Sequence, residues 1–174
     1  MSADQTLSHA VDLETRLRIT DFLALEADLA DSHQYDRWLG LWDSVVEYWV
    51  PCSDPTADPT AKVAIILDDR NRLEERIARL QSGSAHAQLP RSELARVVSN
   101  PRIGRVEEMA SGQPLAYQVD AKFVLVEYRS SVSNVYGGSV RFELLESRNT
   151  LTIRKKHVVL VNREAPQGNL TFLL

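Results

Sequence analysis

The stretch from Tyr35 to Pro51 constrains the fold most, because a helical pattern changes to a strand pattern within it. Four large apolar residues recur at helical spacing and would share one face of a short helix: Tyr35, Trp38, Leu39 and Trp42. The apolar residues that follow alternate, as they do in a strand: Val46, Tyr48 and Val50. Pro51 ends this strand because proline has no amide hydrogen to donate. We therefore expect an aromatic core that holds a helical layer against a sheet.

Helices are expected on both sides of this stretch. The sequence from His9 to Ala30 lacks Gly and Pro and is rich in Leu, Ala and Glu, which favours a helix, preceded by a loose arm over residues 1–8. A later helix should begin at Asp68 or Asp69 and end before Gly83. Its apolar residues would lie on one face: Leu73, Ile77 and Leu80.

The rest of the chain predicts mainly strands. Four of them are expected at Val63–Leu67, Leu115–Tyr128, Val135–Leu145 and Leu151–Val161. Another covers Leu94–Ser99 and Ile103–Glu107 and is interrupted by Asn100-Pro101. The Gly137-Gly138 step predicts a bulge or bend in the strand Val135–Leu145. Residues 169–174 are expected to form a short strand or a docked end.

Helices followed by a meander of long strands indicate an α+β fold, with N-terminal helices packed on a strongly curved antiparallel sheet. We expect a single domain over residues 1–174, with a mainly helical half at 9–83 and a curved-sheet half at 92–174. A curved sheet around helices makes a cone. The cone could hold a pocket, or four aromatic side chains could fill it: Trp38, Trp42, Phe123 and Phe142.

Composition limits the classes of function. The net charge of −4 offers no basic surface for nucleic acid. Cys52 is the only cysteine, which excludes an intrachain disulfide and fits a reducing compartment. The N-terminus lacks the pattern of a signal peptide, and no apolar segment approaches the roughly 20 residues of a membrane helix. These features predict a soluble cytoplasmic protein.

Residues that could do chemistry are few and scattered. One cysteine cannot supply a Rieske cluster or a Cys-rich zinc site, and there is no phosphate-binding or nucleophile motif. The histidines occur singly, without metal-ligand spacing: His9, His33, His86 and His157. Cys52 has no identifiable partner base, so we interpret it as an incidental thiol. Tyr48 with Asp120 or His86 would be the acid/base candidates if the cone were an active site.

Several stretches together resemble the small (beta) subunit of aromatic-ring-hydroxylating dioxygenases, which are Rieske non-haem iron oxygenases. They are the leading helix, YDRWLGLW running into EYWVP, the Asp-rich loop, DDRNRLEERIARL, LPRSELARVVSN, VRFELLESRNTLTIRKKHVVLVN and NLTFLL. The similarity extends from about Thr15 to Leu174. The order and spacing of these stretches carry the resemblance, since none is a metal or nucleotide signature by itself.

The resemblance implies a cystatin-like or nuclear-transport-factor-like cone in a structural, non-catalytic subunit. It implies no catalytic residue, cofactor or metal in this chain. The partner alpha subunit would carry the Rieske iron–sulfur cluster and the catalytic mononuclear iron, and a reductase or ferredoxin would supply its electrons. Three alpha and three beta subunits would assemble. The residues expected outside the core and at subunit interfaces are Trp49, Arg91, Arg96 and Tyr128.

Two alternatives use the same cone differently. A stand-alone dehydratase or isomerase would need at least two convergent polar groups in an apolar cavity. A small-molecule-binding or scaffold module is also compatible, because a fold does not determine a function. An open cone would favour either alternative, and a filled cone would favour the structural subunit.

Overall fold

The computed structural model describes residues 11–56, 58–59, 63–82, 90–105, 115–166, 168 and 170–174. Three helices and six strands follow one another in the order α1 (Leu13–Asp31), α2 (Tyr35–Leu39), β1 (Trp42–Pro51), β2 (Ala64–Asp68), α3 (Arg70–Gln81), β3 (Glu93–Arg105), β4 (Leu115–Arg129), β5 (Val132–Ser147) and β6 (Thr150–Leu160). The expected loose arm and most of the loop before Pro90 lie outside the described residues.

Aspartate caps begin the two longer helices. The Asp12 side chain accepts a hydrogen bond from the Thr15 amide at the start of α1, and Asp69 accepts one from the Arg72 amide at the start of α3. The prediction that α3 begins at Asp68 or Asp69 is confirmed. The buried residues of α3 are the three predicted ones: Leu73, Ile77 and Leu80.

The aromatic helix is shorter than its sequence pattern predicts. α2 ends at Leu39, and Trp42 is the first residue of β1, so the placement of Trp42 on the helix is wrong. The amide of Ile153 in β6 donates to the carbonyl of Leu41, which shows that sheet pairing already begins there. Pairing with a distant strand overrides the local helical periodicity.

The strands form one curved, open sheet in the order β2-β1-β6-β5-β4-β3. Four neighbouring pairs are antiparallel, but β1 and β6 run parallel, which corrects the expectation of an antiparallel sheet throughout. β3 is continuous past Pro101, with a register shift and a positive φ at Asn100. Tight turns with two positive-φ residues join β4 to β5 (Ser130-Ser131) and β5 to β6 (Arg148-Asn149).

The Gly137-Gly138 step is not a bulge. Its register against β4 is unbroken, and the shift in β5 occurs against β6 between Glu143 and Leu144. Gly138 lies where β6 comes closest: a Cβ built there would be 2.0 Å from the Val159 carbonyl oxygen. The glycine therefore permits close strand packing, and the prediction of a bulge is wrong.

The inner face of the sheet and the three helices enclose one hydrophobic core. The four aromatic residues proposed to fill the cone are all buried: Trp38, Trp42, Phe123 and Phe142. The last four residues, Thr171–Leu174, are also buried against this core without forming a strand, which confirms the docked end. Within the described residues, none of the helices combines the length and apolar character that a membrane-spanning helix requires.

Candidate functional site

The interior of the cone is the candidate site, because ligand pockets are concave. Aromatic rings occupy its centre. Trp38 and Trp42 lie 5.2 Å apart between ring centroids, and Tyr48 contacts both at 6.1 Å and 5.8 Å. α2 supplies the first ring and β1 the other two. These tilted and edge-on contacts are typical of a packed aromatic core.

A buried ion pair crosses this core from α1 to β6. The Lys156 ammonium lies 2.7 Å from a carboxylate oxygen of Glu26, and the two side chains are 3% and 1% exposed. The Trp38 indole N–H donates to the same oxygen at 2.7 Å. Burial lowers the pKa of the Lys156 ammonium, and the Glu26 charge opposes that shift. The two charges therefore satisfy each other.

Aromatic faces complete the surroundings of this cation. The Lys156 nitrogen lies 5.6–5.8 Å from the ring centroids of Trp38, Tyr48 and Phe142. Such distances allow cation–π attraction, which is strongest in a desolvated site. Sequence analysis missed this pair because Lys156 belongs to a basic run, Arg154-Lys155-Lys156, that suggests an exposed surface.

The space that remains inside the cone is very small. A cavity of about 10 Å³ lies beside the ion pair, bounded by Phe123, Phe142 and Leu174 among others. One water molecule is the most that such a volume can hold. Ligand pockets are typically about 300–1,000 Å³, so the described residues leave no room for an organic substrate beside the ion pair.

The structure does not bring the proposed acid/base residues together. Tyr48 is fully buried, and its hydroxyl donates to the carbonyl of Leu174 and accepts from the Leu174 amide, both at 2.9 Å. Burial raises the pKa of this phenol well above its ordinary value. Asp120 lies on the opposite face of the sheet, where it accepts from Arg141 at 2.7 Å. His86, the alternative partner, lies outside the described residues.

Two histidines in the described part of the chain have structural contacts. His33 bridges Tyr35 and the backbone of Ser92, and because the Ser92 carbonyl can only accept, Nε2 carries the proton. His157 pairs with Glu47 on the outer face and packs edge-on against Trp49. In the described part of the chain, no three His, Cys, Asp or Glu side chains come together as a metal site.

The four predicted interface residues divide into two buried and two exposed side chains. Trp49 is 6% exposed. The Arg96 side chain is 3% exposed, pairs with Asp31 at 2.7 Å and donates to the Leu173 carbonyl. Both side chains are therefore buried within this chain, Trp49 on the outer face of the sheet against His157 and Arg96 against α1, and their place at a subunit interface stays a prediction. Arg91 and Tyr128 are exposed.

The arrangement of helices and strands is similar to that of solved structures with a known fold. An NTF2-like protein with a cystatin-like fold from Novosphingobium aromaticivorans is similar in structure, with a TM-score of 0.59, 18% identity and coverage of 86% of this chain and 84% of that one. A closer likeness is the beta subunit of benzoate 1,2-dioxygenase from Burkholderia mallei, with a TM-score of 0.70, 24% identity and coverage of 95% and 99%. The chain has the cystatin-like fold.

Similarity in amino-acid sequence identifies the protein family to which the chain belongs. The family described as "Ring hydroxylating beta subunit" matches residues 25–167, and the chain belongs to it. It is 33% identical to the small oxygenase component of the p-cumate 2,3-dioxygenase system of Pseudomonas putida, over 92% of this chain and 87% of that one. It is 31% identical to the small subunit of 2-halobenzoate 1,2-dioxygenase of Burkholderia cepacia, over 84% and 88%. This chain is therefore a beta subunit of a ring-hydroxylating dioxygenase, an oxidoreductase with an alpha partner.

Proposed function

We propose that this chain supplies structure rather than chemistry to its oxygenase. It supports an alpha subunit that carries the Rieske cluster and the catalytic mononuclear iron, in an assembly of three alpha and three beta subunits. A reductase or ferredoxin delivers the electrons to the alpha subunit. The complex is soluble and cytoplasmic. Arg91 and Tyr128, the exposed members of the predicted set, belong to its subunit contacts.

The filled cone is the observation that supports a non-catalytic role. The ionisable groups that point into it have partners within the chain: Glu26 with Lys156, Arg96 with Asp31, and Tyr48 with Leu174. Among the described residues, the Trp42 indole N–H is the buried side-chain polar atom left without a partner, and an indole N–H is a donor that cannot act as a catalytic acid or base. A catalytic acid or base must reach a substrate atom within hydrogen-bond distance. A cavity of about 10 Å³ leaves no position for that atom. The dehydratase, isomerase and ligand-binding alternatives all require an open cone, whereas the described residues leave only about 10 Å³ beside the buried ion pair.

The relatives suggest a class of substrate for the assembled enzyme. Their names include p-cumate, 2-halobenzoate, anthranilate and benzoate, which are all aromatic carboxylates. We extend this class to the complex that contains the present chain. Since the reaction would take place in the alpha subunit, the choice of one carboxylate over another would be made mainly there.

Co-expression with a candidate Rieske-type large subunit tests the proposal. We expect a stable mixed complex that contains iron and oxidises an aromatic carboxylate when a reductase is supplied. The chain purified alone should contain no iron. If this chain were stable and did not bind the large subunit, the proposal would be contradicted.

Two substitutions separate support from catalysis within that complex. Asp120→Asn removes a charge on the outer face, and Tyr48→Phe removes a buried hydroxyl. Each should leave turnover per bound iron within about twofold of the unmodified complex, because neither group reaches the chemistry. A loss of more than about tenfold in turnover, with assembly and iron content unchanged, would instead assign catalysis to this chain.

A further inference from the structure

The buried Lys156 side chain is surrounded in the way that a ligand is surrounded in a binding site. Its ammonium group lies 2.7 Å from the Glu26 carboxylate and 5.6–5.8 Å from the centroids of three aromatic rings. These rings belong to Trp38, Tyr48 and Phe142. Aromatic faces together with a carboxylate are the groups that recognise organic ammonium ions.

The surrounding groups are held in place by contacts that do not involve Lys156. The Trp38 indole donates to the same Glu26 oxygen that receives the ammonium, and this bond orients the carboxylate. The Tyr48 hydroxyl is bonded to the backbone of Leu174. The four groups lie on α1, α2, β1 and β5, and none of their residues is more than 1% exposed. A site built on such elements should keep its shape when the lysine side chain is shortened.

The balance of charge inside the cone favours a cation at this position. Arg96 pairs with Asp31 at 2.7 Å, so shortening Lys156 leaves Glu26 as the unmatched charge of the two buried pairs. A buried carboxylate without a counter-charge is unfavourable. A metal ion would replace the lysine poorly, because hard cations need several oxygen ligands and no three His, Cys, Asp or Glu side chains of the described residues converge.

We propose that the interior of the cone is a receptor for a primary alkylammonium ion and that the Lys156 side chain is its tethered ligand. A primary ammonium donates to Glu26 while it faces the rings, whereas a quaternary ammonium has no N–H to donate. The tether gives the ligand a high effective concentration, so a free amine does not compete with it in the unmodified chain. The receptor is a property beyond the proposed function and does not depend on it.

Chemical rescue of the full chain tests the receptor. Lys156→Ala removes a fragment with the size and charge of n-propylammonium. Adding this ion as its chloride should raise the melting temperature of the variant by about 3–5 °C at a free concentration of about ten times its Kd. Sodium chloride at the same ionic strength provides the baseline. The unmodified chain should respond equally to the two salts.

Two variants serve as matched controls. Lys156→Met removes the same charge but still fills the space, so its melting temperature should be the same in n-propylammonium and in sodium chloride. Lys155→Ala removes an ammonium from the neighbouring residue, whose side chain is 39% exposed and lies 3.4 Å from Glu143. It should also respond equally to both salts.

Other ligands identify what the receptor recognises. n-Propanol fills the same space without a charge, and tetramethylammonium carries the charge without an N–H. Each should raise the melting temperature of Lys156→Ala less than n-propylammonium does. Adding Glu26→Gln to Lys156→Ala should abolish the preference for n-propylammonium over n-propanol, because the carboxylate is gone.

Refolding keeps the test decisive if Lys156→Ala is unfolded without amine. Recovery of its near-ultraviolet circular dichroism in n-propylammonium, compared with the same salt, alcohol and quaternary ion, then replaces the melting temperature. The receptor would be overturned if Lys156→Ala did not respond to n-propylammonium in either measurement. It would also be overturned if Lys156→Met responded equally, or if n-propanol or tetramethylammonium stabilised Lys156→Ala as well as n-propylammonium does.

Discussion

At the scale of single residues, position 138 shows how backbone packing can require a glycine. The β6 backbone lies so close to Gly138 that a methyl group would overlap a carbonyl oxygen, whereas at Gly137 the nearest atom to a built Cβ is 3.5 Å away. Neither glycine has a positive φ, so the difference between them is one of space alone.

Gly138→Ala is therefore expected to lower the free energy of unfolding by roughly 2 kcal/mol or more, because β5 and β6 must separate to admit the methyl group. Gly137→Ala is the control and should change it by less than about 1 kcal/mol. Denaturant titration of both variants measures the difference. Equal stabilities would show that the strands adjust without cost.

Tyr48 makes the stability sensitive to alkaline pH. Burial raises its pKa above the ordinary value of about 10, so the folded protein keeps the phenol proton at a pH where the unfolded chain loses it. The stability that this group contributes is present below pH 10 and is lost as the pH rises further. Tyr48→Phe should flatten that alkaline decline in the free energy of unfolding.

The same substitution should also cost about 1–3 kcal/mol at neutral pH, because the Leu174 amide and carbonyl both lose their partner. Urea titrations at pH 7 and at pH 11 separate the two effects. An alkaline decline as steep in Tyr48→Phe as in the unmodified chain would assign it to other groups.

At the scale of elements, α1 is tied to the sheet by two ion pairs at its C-terminal half. Glu26 pairs with Lys156 on β6, and Asp31 pairs with Arg96 on β3. The two strands lie on different parts of the sheet, with β5 and β4 between them. The pairs therefore fix the direction of the helix across the concave face, which apolar packing alone specifies less well.

Removing one member of the Glu26–Lys156 pair should be more damaging than removing both charges. Lys156→Met leaves a buried carboxylate uncompensated, and we expect a loss of about 3–5 kcal/mol in unfolding free energy. Adding Glu26→Gln should recover part of this loss, since the amide oxygen can still accept from the Trp38 indole. Denaturant titrations of the single and double variants provide the measurement. A double variant no more stable than Lys156→Met would contradict the argument.

Sequence periodicity predicted the elements well where their neighbours are close in the chain. β4 alternates as expected between buried residues such as Val119 and Phe123 and the outward Lys122. Sequence periodicity failed where the paired strands are distant in the chain. Trp42 was predicted on a helix but belongs to β1, and β1 pairs with β6 in parallel and not antiparallel. The register shift against β5 also places Lys156 on the inner face, which no local pattern of charges could reveal.

At the scale of the whole molecule, the resemblance predicted the family and the cone, whereas the aromatic residues left open whether the interior is a pocket or is filled. The polar contents of the cone could not be predicted. Glu26 and Lys156 are separated by 130 positions, and Tyr48 and Leu174 by 126, so only the folded chain brings them together. The burial of Trp49 and Arg96 could not be predicted either, since it depends on what the rest of the chain covers.

The docked end, Thr171–Leu174, packs against the hydrophobic core, and losing this packing should destabilise the whole cone. Phe172 is 2% exposed and packs edge-on against Tyr136 with 5.4 Å between ring centroids. We expect Phe172→Ala to lower the unfolding free energy by about 3–5 kcal/mol. Val161→Ala, at a side chain 78% exposed, should change it by no more than about 0.5 kcal/mol. Comparable losses in calorimetry would contradict this role of the end.

The parallel pairing of β1 with β6 also bears on how the protein is made. β1 needs a neighbour that the ribosome synthesises about a hundred residues later, since Trp42 pairs with Ile153. Until that strand emerges, the tryptophans beside β1 have no sheet to cover them, and contacts between such distant segments form slowly. The nascent chain would therefore present an aromatic surface until β6 has been synthesised. Completion of the fold would wait for the last strand and the residues that dock after it.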